Sequence, residues 1–246
     1  MERIKNKILV IGDSCRDIYT YCISDRMAPD KPVPVLEVVD HVENPGMAKN
    51  VYENIKSLNI DCDINTNYNW YDVTKTRYVH KSSNHMFFRI DSKNTIDRID
   101  IDKLNYDYET IVISDYDKGF LTEQDIETIC SNHQCTFLDT KKILGSWSDK
   151  ASFIKINNYE YDRSKRYITK DLKSKIIQTC GGDGCLYNDK KFPVKKSDVI
   201  DLSGAGDSFL AALSVKYTKT KNIDESIKFA NKCASEVVKH KGVTII

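Results

Sequence analysis

Five short apolar runs, each followed at once by polar residues, are the feature that most limits the folds open to this chain. The first run, Lys7 to Ile11 (KILVI), ends in Gly12-Asp13, and the others occupy residues 111–113, 136–138, 153–156 and 176–177. Helical patterns lie between some of them, at Val51 to Leu58 and Glu123 to Cys130. This alternation is typical of a parallel sheet that binds ligands at the carboxyl ends of its strands. We therefore predict an α/β protein with a mostly parallel central sheet.

Two β-rich segments interrupt the alternation and predict a second, smaller sheet. They are Val33 to Val39 and Thr76 to Ile90, and the second is typical of a hairpin that turns near Ser82 to Asn84. We expect a small antiparallel sheet beside the main one, with lid strands at about 18–42 and 74–91, inside a single domain over 1–246. The closing helix is expected to begin at about Asp224, as its N-cap.

Charge and cysteine content narrow the expected partners and compartment. The 37 basic and 36 acidic side chains nearly cancel, so no overall field attracts the protein to nucleic acid or a membrane, and small solutes are the expected partners. No stretch approaches the roughly 20 apolar residues of a membrane helix. The eight cysteines include no C-x-x-C pair, so a zinc site is not expected, and we interpret them as reduced thiols of a cytoplasmic protein.

The segment Asp201 to Phe209, DLSGAGDSF, places two of the chain's ten glycines around Ala205, just before Asp207 and a helical pattern. Three interpretations are open. The glycines could simply turn the chain into a helix whose dipole Asp207 complements. They could belong to a dinucleotide fingerprint, although Phe209 stands where that motif has its third glycine. Alternatively, backbone N–H groups could cradle a phosphate beside an acid that accepts the proton of an attacking hydroxyl.

Three motifs together favour the phosphate-binding interpretation, because they resemble the ribokinase-like (PfkB) carbohydrate kinases. Asp201 to Phe209 is similar to the family signature D-x-x-G-A-G-D-x-F, Thr179 to Gly184 resembles its T-x-G-x-x-G nucleotide loop, and Asn157 to Glu160 resembles its N-x-x-E element. The order and separation of the motifs also agree. The resemblance implies a ribokinase-like three-layer sandwich with a mostly parallel central sheet and a small β lid.

Further segments resemble one branch of this family, the kinases that phosphorylate heptose 7-phosphate at its anomeric hydroxyl. The matching segments are Ile8 to Asp17, Met27 to Val38, Asn44 to Asn50, Phe88 to Asp91 and Ser114 to Gly119. This likeness implies an ATP-dependent sugar kinase that uses Mg²⁺ and acts on D-glycero-D-manno-heptose 7-phosphate or a related sugar phosphate. It also implies a homodimer formed through the lid strands.

The resemblance assigns a role to each matched position. It implies that Asp207 is the catalytic base and that Gly204, Ala205 and Gly206 form an anion hole. The implied substrate-binding residues are Asp13, Asp17, Gly46, Asn50, Arg89 and Lys118. The implied nucleotide-binding residues are Lys141, Asn157, Thr179, Gly181, Gly184 and Asn231, while Glu160 would organise Mg²⁺ through water.

Simpler roles stay open for several of these residues. Asp13 and Asp17 could belong to a polar loop after a strand, and Arg89 and Lys118 could form surface ion pairs. We expect Asp207 to have an ordinary pKa, so that it is already ionised at neutral pH and acts chiefly by orienting the hydroxyl.

Two departures from the family pattern leave the substrate open. Met47 replaces a glycine and Lys49 a small residue at the expected sugar pocket, and both could narrow or recharge it. The segment 60–74 is short, which predicts that about one strand and one helix are missing from the edge of the sheet. The alternatives are a kinase for another sugar, sugar phosphate or nucleoside, and a non-catalytic sugar- or nucleotide-binding protein.

Overall fold

The computed structural model describes residues 7–92, 95–195 and 198–246, which form two sheets flanked by helices. The strands are β1 (Lys7–Gly12), β2 (Ser14–Met27), β3 (Pro34–Met47), β4 (Asp61–Thr66), β5 (Thr74–His80), β6 (Met86–Asp91), β7 (Thr110–Asp115), β8 (Thr136–Thr140), β9 (Phe153–Asn157), β10 (Ile176–Thr179), β11 (Cys185–Tyr187) and β12 (Lys190–Phe192). The helices are α1 (Ala48–Ser57), α2 (Glu123–Asn132), α3 (Asn158–Ser164), α4 (Lys170–Lys173), α5 (Ala205–Thr220) and α6 (Ile223–Val237).

The central sheet has eight strands in the order β12-β11-β10-β9-β8-β7-β1-β4. The strands from β4 to β10 in this order pair in parallel, whereas β11 and β12 add antiparallel pairs at one edge. The predicted mostly parallel sheet is confirmed. The five apolar runs of the sequence form β1, β7, β8, β9 and β10, so the polar residues that follow them lie at one end of the sheet.

Both faces of the central sheet are buried, which explains the nearly continuous apolar sequence of its strands. In β1, Ile8 and Val10 face a core shared with α1, α5 and α6, whereas Leu9 and Ile11 face a core shared with α2. The chain therefore has the three layers that the resemblance implies. Within the described ranges, none of the helices has both the length and the apolar character needed to cross a bilayer.

The smaller sheet, which we call the lid, has the order β3-β2-β5-β6. The hairpin predicted near Ser82 to Asn84 is confirmed, because β5 and β6 pair antiparallel around it. The prediction of an antiparallel sheet is wrong for one pair, since β2 and β5 run parallel. The reason is that β2 follows β1 and β5 follows β4, and these parallel strands deliver the chain to the lid in the same direction.

The 60–74 segment supplies one strand at the edge of the central sheet, because β4 pairs with β1, and residues 67–73 then connect directly to the lid. One local prediction is wrong. The N-cap of α6 is Asn222 rather than Asp224: the Asn222 side chain accepts the N–H of Glu225 at 3.2 Å. Asp224 lies in the first helical turn, where it forms an ion pair with Lys190.

Candidate active site

A cavity of about 690 Å³ opens where the carboxyl ends of β8, β9 and β10 meet the start of α5. The residues predicted for the phosphate cradle and for the nucleotide all lie along its wall: Lys141, Asn157, Thr179, Gly181, Gly184, Gly204, Ala205, Gly206, Asp207 and Asn231. Parallel strands place their carboxyl ends side by side, so residues far apart in sequence come together here.

The cradle predicted at Gly204 to Gly206 is the first turn of α5. Gly204 is the N-cap with a φ of 78°, a left-handed conformation that glycine adopts without strain. N–H groups in the first turn of a helix lack partners within the helix, and the helix dipole adds partial positive charge to them. This turn lines the cavity, and the start of a helix is a place where backbone N–H groups can bind an anion.

Asp207 is buried in the same turn, and both of its carboxylate oxygens are held. Asn50 Nδ2 donates to Oδ2 at 2.9 Å, and the Tyr116 hydroxyl donates to Oδ1 at 2.7 Å. Asn50 Oδ1 in turn accepts from Asn54 Nδ2 at 3.0 Å. The Asn50 side chain, which we predicted to bind substrate, is therefore engaged in holding the Asp207 carboxylate.

The expectation of an ordinary pKa for Asp207 is wrong. Burial raises the pKa of its carboxyl group, and the hydrogen bonds from Asn50 and Tyr116 offset that rise only in part. Burial and the neighbouring Asp207 carboxylate also raise the pKa of Tyr116 well above its usual value, so this phenol keeps its proton and acts as a donor. An aspartate with a raised pKa is a better proton acceptor than an ordinary carboxylate.

Tyr116→Phe should lower kcat roughly tenfold, because it removes a hydrogen bond to a buried charge. That bond lowers the pKa of Asp207, so its loss should raise this pKa further and move the acid limb of the kcat profile to higher pH. Steady-state rates across pH measure both effects. Tyr167→Phe, at an exposed tyrosine, is the matched control. If the acid limb of Tyr116→Phe stays at the wild-type pH, Tyr116 does not influence the ionisation of Asp207, which would contradict this prediction.

The side of Asp207 that faces the lid carries the residues predicted for the sugar. Asp17 on β2 forms an ion pair with Arg77 on β5 at 2.5 Å. A Cβ on Gly46 would lie 2.9 Å from Asp17 Oδ2 and 2.8 Å from Cys15 Sγ, so a larger residue here would displace one of these side chains. The structure thus brings Asp17, Gly46 and Asn50 to one wall, at the junction of the lid with α1.

Asp13, which the resemblance assigns to the substrate, accepts hydrogen bonds from the backbone. Its oxygens accept the backbone N–H groups of Tyr116 at 2.7 Å and Phe120 at 3.2 Å. Burial and the nearby Asp115 raise the pKa of Asp13. These hydrogen bonds hold the loop that carries Tyr116, so Asp13 helps to position the Tyr116 side chain.

Two lid cations, one beside Tyr116 and one beside Asp17, were missed in the sequence. Lys75 is buried, and its ammonium lies 4.7 Å from the centre of the Tyr116 ring. Arg77, two residues on along β5, points to the same face because side chains alternate along a strand. The spacing of Lys75 and Arg77 in TKTRYVH indicates two cations on one face of a strand. A strand that faces solvent has the same pattern, so the sequence did not show that this face lies at the site.

The other two predicted cations lie farther out. Arg89 is exposed and pairs with Asp91 of its own strand at 2.7 Å, which agrees with the alternative of a surface ion pair. Lys118 is exposed in the loop after β7 and does not line the cavity. The structure places neither side chain against Asp207.

The two departures near Gly46 have structural outcomes. Met47 has a φ of 58° and is buried, so it occupies a backbone conformation that favours the glycine it replaces; such conformations cost on the order of 1–3 kcal/mol. Lys49 turns away from the sugar wall, with its ammonium over the rings of Tyr52 and Trp70 and 3.9 Å from Glu53. Lys49 therefore does not recharge the pocket.

Alternating charges line the phosphate end of the cavity. Lys141 pairs with Glu160, and its ammonium lies 3.7 Å from Asp139 Oδ1; Lys155 pairs with Asp139 Oδ2 at 2.6 Å. Burial opposes the charge on Asp139, but the two lysines outweigh it and lower the pKa of Asp139. Burial likewise opposes the charge on Lys141, and the carboxylates of Asp139 and Glu160 outweigh it and raise the pKa of Lys141.

Asn157 and Glu160 form a reciprocal capping box at the start of α3. The Asn157 side chain accepts the N–H of Glu160 at 2.9 Å, and Glu160 Oε2 accepts the N–H of Asn157 at 2.8 Å. Asp139 Oδ1 is buried without a hydrogen-bond partner. Among the described residues no three acidic, histidine or cysteine side chains form a metal-binding group. One or two carboxylates completed by water and substrate phosphates still suit Mg²⁺, and Asp139 and Glu160 fit that requirement.

The nucleotide loop closes the other end of the cavity. Gly184 has a φ of 87°, and a Cβ there would lie 2.0 Å from the carbonyl oxygen of Phe192, so the loop needs glycine at this point. Asn231 Nδ2 donates to that same carbonyl at 2.8 Å. The nearby wall is mainly apolar, as suits a nucleobase: Val199, Leu202, Phe209, Ala234 and Val238.

Comparison with known proteins gives relatives along almost the whole chain. Two curated proteins called Bifunctional protein HldE, one from a Nitratiruptor species and one from Helicobacter pylori, are 26% and 28% identical over 288 and 298 residues. Each alignment covers 96% of this chain, and 62% and 63% of the respective relative. The chain thus spans about three fifths of the length of these relatives.

Solved structures give the same fold. The nucleoside kinase of Methanocaldococcus jannaschii, an archaeal member of the ribokinase family, superposes with a TM-score of 0.72 at 18% identity, covering 96% of this chain and 93% of that one. Arabidopsis thaliana ribokinase complexed with ribose and ATP superposes with a TM-score of 0.69 at 14% identity, covering 98% and 95%. The ribokinase-like fold predicted from the sequence is confirmed.

The C-terminal half of the chain carries the family assignment. The model of the pfkB family carbohydrate kinases matches residues 122–246, slightly more than half of the chain. This range contains the N-x-x-E element, the nucleotide loop and the glycine-rich start of α5. The chain therefore belongs to the pfkB family of carbohydrate kinases.

Proposed function

We propose that this protein transfers the γ-phosphate of ATP to a sugar hydroxyl, namely the anomeric hydroxyl of D-glycero-D-manno-heptose 7-phosphate. The observation that carries the proposal is the setting of Asp207. This buried carboxylate has a raised pKa and lies between a cavity lined for a nucleotide and a lid face that carries cations. In-line transfer needs a group between the two substrates that accepts the proton of the attacking hydroxyl, and Asp207 lies at such a position.

The proposed mechanism assigns the proton transfer to Asp207. Asn50 and Tyr116 hold its two oxygens, so the carboxylate has a fixed orientation when it accepts the proton of the attacking hydroxyl. N–H groups in the first turn of α5 bind the phosphate oxygens and stabilise the charge that develops on them. The lid covers the hydroxyl side and limits the access of water to the phosphate.

Mg²⁺ is the proposed cofactor. Asp139 and Glu160, with Asn157, would hold the ion directly or through water. When bound, the ion neutralises negative charge on the phosphates of the donor.

A phosphorylated sugar is the proposed substrate because of the charge on the lid face. Lys75 is buried beside Tyr116, and among the described residues its ammonium has no hydrogen bond or ion pair. A buried ammonium without a counter-charge is costly, so an anionic group of the substrate would stabilise it. The resemblance of the lid and sugar-wall segments to heptose 7-phosphate kinases supports the same substrate.

A panel of acceptors tests this function. Release of ADP is measured with Mg²⁺, ATP and each of heptose 7-phosphates, fructose phosphates, ribose and nucleosides. We expect the heptose phosphate to give the highest kcat/KM. A preference for ribose or a nucleoside would support the alternative of a kinase for another acceptor. Binding of ATP without turnover across the panel would support a non-catalytic binding protein.

We propose that the lid also forms a homodimer. Met86, Phe88 and Ile90 alternate along β6 on the face opposite Arg89, and all three are largely exposed. A second copy of the chain would bury these side chains. Ile90→Glu should therefore give a monomer, and the wild type a dimer, in light scattering; a monomeric wild type would contradict the proposal.

We also propose a cytoplasmic location. All eight cysteines are free in the structure, which suits a reducing compartment. Cell fractionation tests this assignment, and recovery of the protein outside the cytoplasmic fraction would contradict it.

A further inference from the structure

Lys155 is a buried charge in a strand that is otherwise apolar. It is 4% exposed and lies between Ile154 and Ile156 in β9. In the register of the parallel pair it stands directly opposite Asp139 of β8, and the two side chains form an ion pair at 2.6 Å. Among the described residues, Asp139 is the only hydrogen-bond acceptor that the Lys155 ammonium reaches.

The Lys155 ammonium lies at the phosphate cradle. A Cβ built on Gly206 would be 3.0 Å from Lys155 Nζ, so the ammonium sits directly beside the first turn of α5. Lys155 also lines the cavity together with Gly206 and Asp207. An ammonium group has three donors, and one donates to Asp139, which leaves two for a ligand.

Stability alone does not account for this pair. Removing two charges from water is costly, and well-packed apolar residues of similar volume often serve a fold as well or better than a buried ion pair. The neighbouring positions of β9 have apolar side chains at this depth. The pair instead places a fixed, oriented positive charge at the point where the backbone is shaped to accept an anion.

We propose that Lys155 binds the terminal phosphate of the donor nucleotide and stabilises the phosphoryl group during its transfer, with Asp139 orienting the ammonium. This inference rests on the proposed function. In the step, the bond between the γ-phosphorus and the oxygen that bridges to the β-phosphate breaks, and a bond from the acceptor oxygen to the γ-phosphorus forms. The acceptor proton passes to Asp207, ADP leaves with the bridging oxygen, and Lys155 remains protonated throughout.

The test uses a double variant, because Lys155→Met alone leaves the Asp139 carboxylate buried and unpaired. Lys155→Met/Asp139→Asn removes both charges at once. Lys142→Met/Asp115→Asn is the control, since the partly buried Lys142 pairs with the buried Asp115 at 2.9 Å and neither residue lines the cavity. Calorimetry measures the binding of ATP, ADP and AMP to each full-length variant, without any acceptor and without Mg²⁺, so that the loss of Asp139 as a proposed Mg²⁺ ligand does not enter the comparison.

We expect the Lys155→Met/Asp139→Asn variant to bind ATP at least about tenfold more weakly than the wild type, because it loses a hydrogen bond to a charged group. Its affinity for AMP should stay unchanged, and the control should keep both affinities. Wild-type affinity for ATP in the double variant would overturn the proposal and leave Lys155 as a partner for Asp139 alone. If the double variant lost affinity for ATP and AMP to the same extent, the proposal would be overturned as well.

These binding measurements separate this proposal from the proposed function. If the wild type phosphorylates no acceptor, the proposed function fails, yet the difference between ATP and AMP still decides the role of Lys155. If the wild type is active, the double variant should also lower kcat by at least about tenfold, because the lost charge would act on the transferring group. An unchanged kcat would overturn the catalytic part of the proposal.

Discussion

Replacement of Asp207 by asparagine should lower kcat by about 10²- to 10⁴-fold, the range typical of a lost general base. Asparagine is close to aspartate in size and can still accept one of the two hydrogen bonds from Asn50 and Tyr116. It cannot take up the proton of the acceptor hydroxyl. ATP binding should persist, because the cavity, the nucleotide loop and the amides of α5 are unchanged. Single-turnover kinetics and calorimetry measure the two properties separately.

The pH dependence gives a second test of the same residue. Asp207 must be ionised to accept a proton, and burial raises its pKa. Activity of the wild type should therefore fall as pH drops through a pKa above the ordinary range for aspartate, and Asp207→Asn should lack this limb. Asp183→Asn is the control, because Asp183 is another acid along the cavity. This substitution should leave turnover nearly unchanged. Unchanged turnover in Asp207→Asn would remove Asp207 from the role of base.

Alanine at Gly12 should destabilise the fold by about 4 kcal/mol or more, since it would drive a side chain into backbone. Gly12 pairs with Ser114 at the carboxyl ends of β1 and β7. An added Cβ would lie 1.9 Å from the Ser114 carbonyl oxygen and 3.2 Å from the Ala48 Cβ. The strands must separate to relieve this overlap. Because the site lies at the same strand ends, activity should be lost together with stability.

Chemical denaturation of Gly12→Ala measures that loss. Gly182→Ala is the matched control: a Cβ on Gly182 has no neighbour within 4 Å, and Gly182 does not have a positive φ. We expect the control to keep the wild-type free energy of unfolding within a few tenths of a kcal/mol. Wild-type stability in Gly12→Ala would contradict the close approach of β1 and β7.

The central sheet could be predicted from the sequence because burial on both faces forces long apolar runs, as in β1. The lid was harder to predict. Its hairpin followed from local pattern, but the parallel pairing of β2 with β5 depends on how β1 and β4 lie in the other sheet. No local signal in Thr74 to His80 contains that information.

The site could be predicted where motifs are contiguous and not where side chains meet across strands. The start of α5 and the segment Thr179 to Gly184 are short segments with recognisable glycines, and both line one cavity. Tyr116, Lys155 and Lys75 were missed, because each contacts a residue that is distant in the sequence. Lys155 did carry a signal, since a lysine inside FIKIN is unexpected in a strand buried on both faces.

The raised pKa of Asp207 could not be predicted for a related reason. A pKa depends on burial and on the charges that surround the group, and these are known only once Asn50, Tyr116 and Asp139 are placed around it. The sequence indicated an acid at a helix start. The packing of that helix start against α1 and the loop after β7 makes it a buried carboxylate that two side chains hold by hydrogen bonds.

The central claim is that the carboxylate of Asp207 directs phosphoryl transfer from ATP to a sugar phosphate. Phosphorus NMR of a reaction with Mg²⁺, ATP and D-glycero-D-manno-heptose 7-phosphate tests it most directly. We predict a new sugar-phosphate resonance coupled to the anomeric proton, formed together with ADP by the wild type and not by Asp207→Asn. An unchanged spectrum with the wild type, or the same product from Asp207→Asn, would contradict the claim.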